Sequence, residues 1–134
     1  MQLSQLMNKS VVTVTMDDSL RRINNLFAQH PFHHLLVIES KKLVGVISDR
    51  DLLKHLSPNL NTPSETQKDA ACLNKRAHQI MSRNLVTLTK EATLMDAIEV
   101  LDSHSVSCIP IVTSDNKLEG IITWRDIFKL ILKK

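Results

Sequence analysis

The sequence predicts a mixed α/β (α+β) fold, two β-α-β-β-α repeats packed face to face about a pseudo-two-fold axis. Three observations point there. The chain has only two glycines, and each opens the same short pattern: Gly45-Val46-Ile47-Ser48-Asp49-Arg50-Asp51 and Gly120-Ile121-Ile122-Thr123-Trp124-Arg125-Asp126. Sliding the sequence against itself by about 75 residues aligns most of the rest, and such self-similarity marks an internal repeat. Gln5-Leu6-Met7 falls on Gln79-Ile80-Met81, Val12 to Thr15 on Val86 to Thr89, and Leu35 to Ile38 on Ile109 to Val112, with one extra residue near Asn116. Finally, three short strands and two helices are too few to bury a good core alone, so two copies are expected to share one.

The elements follow in order. Val11 to Thr15 is β-branched and apolar, a short strand. Ser19 caps a helix whose apolar face is Leu20, Ile23 and Phe27, with Leu26 beside it, and Thr93 does the same for Leu94, Ala97, Ile98 and Leu101. Leu35 to Ile38 is a continuous apolar run, as in a buried strand. Polar turns at Glu39 to Lys42 and Thr113 to Lys117 join it and its copy to the glycine strands, predicting hairpins. Second helices begin at Asp51 and Asp126. The expected organisation is repeat 1 over 1–56, a linker over 57–77, and repeat 2 over 78–134. Pro58 and Pro63 break the linker, and Ser64-Glu65-Thr66-Gln67 reads as a capping box opening a helix from Ser64 to Lys75.

Composition narrows the function. The chain has 134 residues, 43% of them hydrophobic, with a formal net charge of +3. The basic excess is modest and scattered apart from Lys133-Lys134, without the aromatic-studded stripe of a nucleic-acid binder. No apolar run approaches the roughly 18 residues of a membrane span, and no signal-peptide pattern opens the chain. Cys72 and Cys108 do not make a disulfide framework. A cytoplasmic protein with reduced thiols, bound to neither nucleic acid nor membrane, is expected.

Ser48-x-x-Asp51 and Thr123-x-x-Asp126 have the spacing of a helix capping box, in which both residues only satisfy backbone N–H groups. A helix start after a strand is also an anion site. In both copies an arginine, Arg50 or Arg125, precedes the carboxylate. Hydroxyl, guanidinium and carboxylate within one turn suit a nucleoside phosphate, with the Asp accepting from ribose hydroxyls.

With its doubled Gly-x-x-Ser/Thr-x-x-Asp, the leading Gln-Leu/Ile-Met, and Ile109-Pro110-Ile111-Val112, the repeat resembles the CBS (cystathionine β-synthase) domain, and the pair resembles a Bateman module. The resemblance covers nearly the whole chain. It implies a stand-alone sensor, not an enzyme, that binds an adenosine compound (AMP, ADP, ATP or S-adenosylmethionine) between the repeats, needs no other cofactor, forms a homodimer through them, and acts in trans on an effector protein. Carried over residue by residue, one cleft has Val86, Val106, Ser107, Cys108 and Ile109 around the base. Ser48 and Asp51 hold its ribose and phosphate, with Arg50, His33 and His34 near the phosphates. The other has Val12, Phe32, His33, His34 and Leu35 around the base, with Thr123, Arg125 and Asp126 opposite. The first is favoured, because repeat 2 has Ser107 and Cys108 where repeat 1 has two histidines, while bulky Phe32 narrows the second. Leu36 in place of Pro110 is a further departure of repeat 1.

Other readings carry less. His30, His33 and His34 could ligate a metal, but no carboxylate or thiol follows at ligand spacing, and adjacent strand residues face opposite ways. His104 and Cys108 lack an oxyanion motif, which argues against a nucleophile and base. A ligand-free interaction module is the alternative from a different class. Arg50 and Arg125 could equally sit in surface ion pairs, and Trp124 could cover a ligand or simply pack.

Overall fold

The computed structural model describes residues 1–133, so Lys134 of the terminal basic pair lies outside the described residues. Eleven helices and strands matter here. In chain order they are β1 (Thr13–Val14), α1 (Leu20–Gln29), β2 (His34–Glu39), β3 (Lys42–Ser48), α2 (Asp49–His55), α3 (Gln67–Ala71), α4 (Ala77–Ile80), α5 (Leu94–Ser103), β4 (Cys108–Val112), β5 (Leu118–Thr123) and α6 (Trp124–Leu132). The fold is mixed α+β, with the expected β-α-β-β-α order in repeat 1. Strands β1, β2 and β3 form one sheet in that order, with β1 parallel to β2 (Thr13 opposite Leu36, Val14 opposite Val37). Strands β4 and β5 form an antiparallel pair.

The first strand of repeat 2 departs from expectation. Val86 to Thr89 forms only a single parallel bridge, Leu88 opposite Ile111, the counterpart of Val14 opposite Val37. Leu88 N–H donates to Pro110 O (3.2 Å) and Val112 N–H to Leu88 O (3.0 Å). The next rung would need an N–H from Pro110, which proline lacks, so the ladder stops. Leu36 stands there in repeat 1 and keeps its donor.

The hairpins differ too. Ser40 and Lys41 both have positive φ (50° and 69°), the two-residue turn whose twist matches a hairpin. In repeat 2 the extra residue is absorbed by a register shift between Ile111 and Val112 and by Asn116 at φ 66°, a conformation asparagine tolerates. The linker helix is also shorter than expected. It begins after Thr66, not Ser64, and its last turn tightens into a 3₁₀ turn over Cys72–Asn74. Asp69 selects this start, because Oδ2 accepts from Thr66 N–H (2.9 Å) while Oδ1 accepts from Ser57 Oγ (2.7 Å).

The described residues form two compact units that do not follow the linear repeats. One holds residues 1–11, 40–43 and 84–133; the other holds 12–39 and 44–83. In each, the Gln-Leu/Ile-Met element lies on the glycine strand of the repeat it does not belong to. Asn8 and Ile121 exchange backbone hydrogen bonds (2.9 and 3.0 Å), and so do Ser82 and Val46 (2.9 and 3.1 Å). The repeated glutamine opens each element: Gln5 Oε1 accepts from Gln2 N–H (3.2 Å) and Gln79 Oε1 from Arg76 N–H (2.7 Å). Most of the buried apolar side chains fall into two clusters, one in each unit. Ala77, Ile80 and Met81 complete the cluster around Ile23, Val37 and Ile47, and Leu3 completes the one around Ile109, Ile111 and Ile122.

Candidate functional site

The two copies of the repeated stretch are helix caps. At the start of α2, Asp51 N–H donates to Ser48 Oγ (3.0 Å) and Ser48 N–H donates to Asp51 Oδ2 (3.0 Å). At the start of α6, the N–H and the hydroxyl of Thr123 both donate to Asp126 Oδ2 (2.9 and 3.3 Å). The capping reading is therefore correct, and it does not exhaust the groups present. Each carboxylate caps with one oxygen only, leaving Oδ1 without a bond among the described residues. Arg50 and Arg125 are exposed, and neither forms an ion pair among the described residues, so the surface ion-pair reading does not hold.

The unit containing Ser48 gathers most of the repeat 1 candidates. Asp49 N–H donates to His33 O (3.0 Å), and His33 Nδ1 lies 2.8 Å from Asp49 Oδ2, so the histidine segment is tied to the first turn of α2 by backbone and side chain. The His33 hydrogen bond holds the Asp49 carboxyl below the usual carboxylate range. Burial pushes His34 below its ordinary value of 6.5, against the charges of Asp49 and Asp51 and with that of His33. His34 is thus a neutral imidazole at neutral pH, a hydrogen-bonding group rather than a standing cation. Asp49 is absent from the sequence-derived set. Its signal was position: an acid at the first residue of a helix, where repeat 2 has Trp124.

This arrangement makes stability depend on pH with a definite sign. A histidine whose folded value is depressed takes up its proton more readily when unfolded, so stability is full above 6.5 and falls as pH drops through that value. We expect His34→Gln to flatten this part of a pH series of urea denaturations. A curve as steep as that of the parent would show that burial of His34 is not its source.

Of the remaining candidates here, Val12 is half-buried and Leu35 lies in the core. Phe32 meets Phe27 edge-on (5.6 Å between centroids) and stacks on His30 (5.0 Å). Among the described residues no group of three or more His, Cys, Asp or Glu could hold a metal ion.

The other unit gathers the repeat 2 candidates. Cys108 is buried and sits opposite Thr123 in the β4–β5 ladder. Burial pushes its thiol up to about 12, so it stays protonated and is no nucleophile. The ring of His104 bonds instead to Val100 O (3.2 Å). Ile109 is buried, Val86 and Val106 are half-buried, and Ser107 is exposed. Trp124 is half-buried against the cluster of Ile109 and Ile111, its ring stacked on Phe128 (5.6 Å).

With the repeats, caps and exchanged elements in place, comparison with known proteins gives a consistent answer. The family model of the CBS domain matches twice, over residues 3–58 and 77–133, and the chain belongs to the CBS domain family. An uncharacterized protein of Methanocaldococcus jannaschii is 30% identical over 126 residues, 94% of this chain and 38% of that one. The chain spans 22% to 48% of the lengths of the first curated relatives it matches, among them an inosine-5′-monophosphate dehydrogenase. Among solved structures, CBSX2 in complex with AMP is 26% identical, with a TM-score of 0.80 over 98% of this chain and 96% of that one. The CBS domain pair of protein MJ0100, in complex with 5′-methylthioadenosine and S-adenosyl-L-methionine, shares the fold at 24% identity, with a TM-score of 0.82 over 100% and 98% of the two chains. No helix among the described residues is long and apolar enough to cross a membrane.

Proposed function

We propose that this chain is a regulatory sensor module that binds an adenine nucleotide, AMP, ADP or ATP ahead of S-adenosylmethionine, and signals to an effector protein through a change of conformation. The observation that carries this reading is the half-used cap. In both copies the aspartate spends Oδ2 on the backbone and keeps Oδ1 for an outside donor, beside an arginine with no ion pair among the described residues. A ribose hydroxyl pair and a phosphate match those two vacancies in charge and hydrogen-bonding sense. The AMP complex of a relative supports the ligand class. Ser48, Arg50 and Asp51, with His33 and His34, are the stronger set, and Thr123, Arg125 and Asp126 the weaker. A ligand that binds two conformations unequally shifts their populations by that difference, which is how binding becomes a signal.

The test is isothermal titration with AMP, ADP, ATP, S-adenosylmethionine and NADH. At least one adenosine compound binds. Asp51→Ala weakens it by about tenfold or more, about 1.4 kcal/mol, and Asp126→Ala weakens it less. Silence for all five ligands sinks the nucleotide reading, and the reverse order of the variants overturns the choice of repeat 1.

A second reading has its own observation. On α6, Phe128, Ile131 and Leu132 are 54%, 60% and 82% exposed. Clustered exposed apolar side chains mark association surfaces, so a ligand-free interaction module, or a homodimer that also binds nucleotide, fits this face. Size-exclusion runs with and without nucleotide separate the two: assembly that ignores nucleotide, together with silence in the titration, favours the interaction module.

A further inference from the structure

The unit built on repeat 2 carries an open cavity of about 460 Å³ at its surface, with Gln2, Lys9, Lys90 and Glu91 exposed around it, that lies apart from the caps. One wall is fixed by backbone bonds, Leu3 N–H to Ala92 O (2.9 Å) and Ser4 N–H to Lys90 O (3.0 Å). Met7 also lines it, and the Met7 side chain lies against Gly120. Its charged groups are Lys9, Lys90, Glu91 and Glu119. Lys90 Nζ and Glu119 pair at 3.8 Å, while Lys9 and Glu91 enter no ion pair among the described residues.

The equivalent place in the other repeat is built differently. Arg76 stands where Gln2 does, and its Nη1 donates to Asp17 O (3.0 Å). Arg83 stands where Lys9 does, and its Nη2 donates to His78 O (3.4 Å). Met16 and Val44 replace Lys90 and Glu119, so the ion pair becomes an apolar pair. Asp17 stands where Glu91 does, so both charge signs occur in each repeat, but among the described residues the Lys90–Glu119 ion pair belongs to repeat 2 alone, and the duplicated nucleotide motif does not account for it.

We propose that this cavity binds a small zwitterion, a free α-amino acid. One cation and one anion remain after Lys90 and Glu119 satisfy each other, so the complementary ligand carries one carboxylate and one ammonium. Inorganic phosphate would leave Glu91 uncompensated and a diamine would leave Lys9 so, which makes a ligand of one charge sign the poorer match. The volume falls within the range of small-molecule sites, and the backbone-bonded wall makes the cavity pre-formed.

The experiment is isothermal titration of the whole chain, without nucleotide, against the common α-amino acids, with inorganic phosphate and putrescine as ligands of a single charge sign. At least one amino acid binds at submillimolar concentration. Lys9→Gln and Glu91→Gln each weaken that binding by about tenfold, while their circular dichroism and AMP titrations match the parent. Silence for every amino acid at millimolar concentration overturns the proposal. So does binding of phosphate or putrescine in their place, or an affinity that neither variant changes. Because the amino-acid titration contains no nucleotide, its outcome is independent of whether the caps bind one.

Discussion

Gly120→Val destabilises the protein by about 3 kcal/mol, the upper range for forcing methyl groups into a packed interior. A Cβ at Gly120 would lie 2.9 Å from Asn8 O and 3.0 Å from Met7 Sδ. The carbonyl cannot step aside cheaply, because it accepts the Ile121 N–H at 3.0 Å and moving it breaks the bridge that holds residues 1–11 in place. Valine favours strands over glycine by up to about 1 kcal/mol, so a loss here is steric. Gly45 is the control. Its added Cβ would meet Met81 Sδ at 2.5 Å and Cγ at 2.9 Å, all side-chain atoms of a flexible thioether. Gly45→Ala should therefore cost less than Gly120→Ala, and Met81→Ala should recover part of the loss at Gly45, whereas Met7→Ala should not rescue Gly120→Ala. Urea midpoints decide the matter; a Gly120→Ala variant as stable as the parent refutes the close-approach argument.

Ile111→Ala carries the second large effect. Ile111 is 0% exposed, clusters with Ile109 and Ile122, and faces Leu88 across the one bridge left of the first strand of repeat 2. Removing its branched side chain loses transfer free energy and leaves a cavity, together about 2–5 kcal/mol. That is a large share of the roughly 5–15 kcal/mol that holds a typical domain. Leu132, 82% exposed on α6, should tolerate alanine to within about 0.5 kcal/mol. Equal urea midpoints for Ile111→Ala and Leu132→Ala would show that this cluster does not anchor its unit.

The parts of the structure legible in the sequence are those in which a local pattern has one physical outcome. Ser48, Thr93 and Thr123 each stand at a helix start with an acid three residues on, and all three begin helices. The glycine pair marked the repeat, and the structure adds that each lies under a close approach. What approached was not legible, because an apolar strand face does not say which segment will cover it; Leu3 and Met81 carry no mark of the partner they choose. The truncated strand was readable in principle, since Pro110 visibly lacks a donor. The linker helix was not, because Ser64-x-x-Gln67 and Thr66-x-x-Asp69 compete two residues apart and a contact from Ser57 decides between them. At the candidate site, the repeated hydroxyl, arginine and aspartate were legible, but the role of Asp49 was not. It depends on His33, sixteen positions earlier, being folded back onto the first turn of α2.

The exchange of leading elements also fixes the order in which the chain can mature. Leu3, Met7 and Asn8 leave the ribosome well before Ala92, Gly120 and Ile121, which they contact. The unit of residues 12–39 and 44–83 has all its parts before Gly120 is made, while the other must wait with residues 1–11 unpaired. Contacts that span so much of the sequence slow folding, because the loop must close before they can reward it. Birth order and burial therefore run in opposite directions for residues 1–11, and a growing chain carries Leu3 in the open until β4 and β5 arrive.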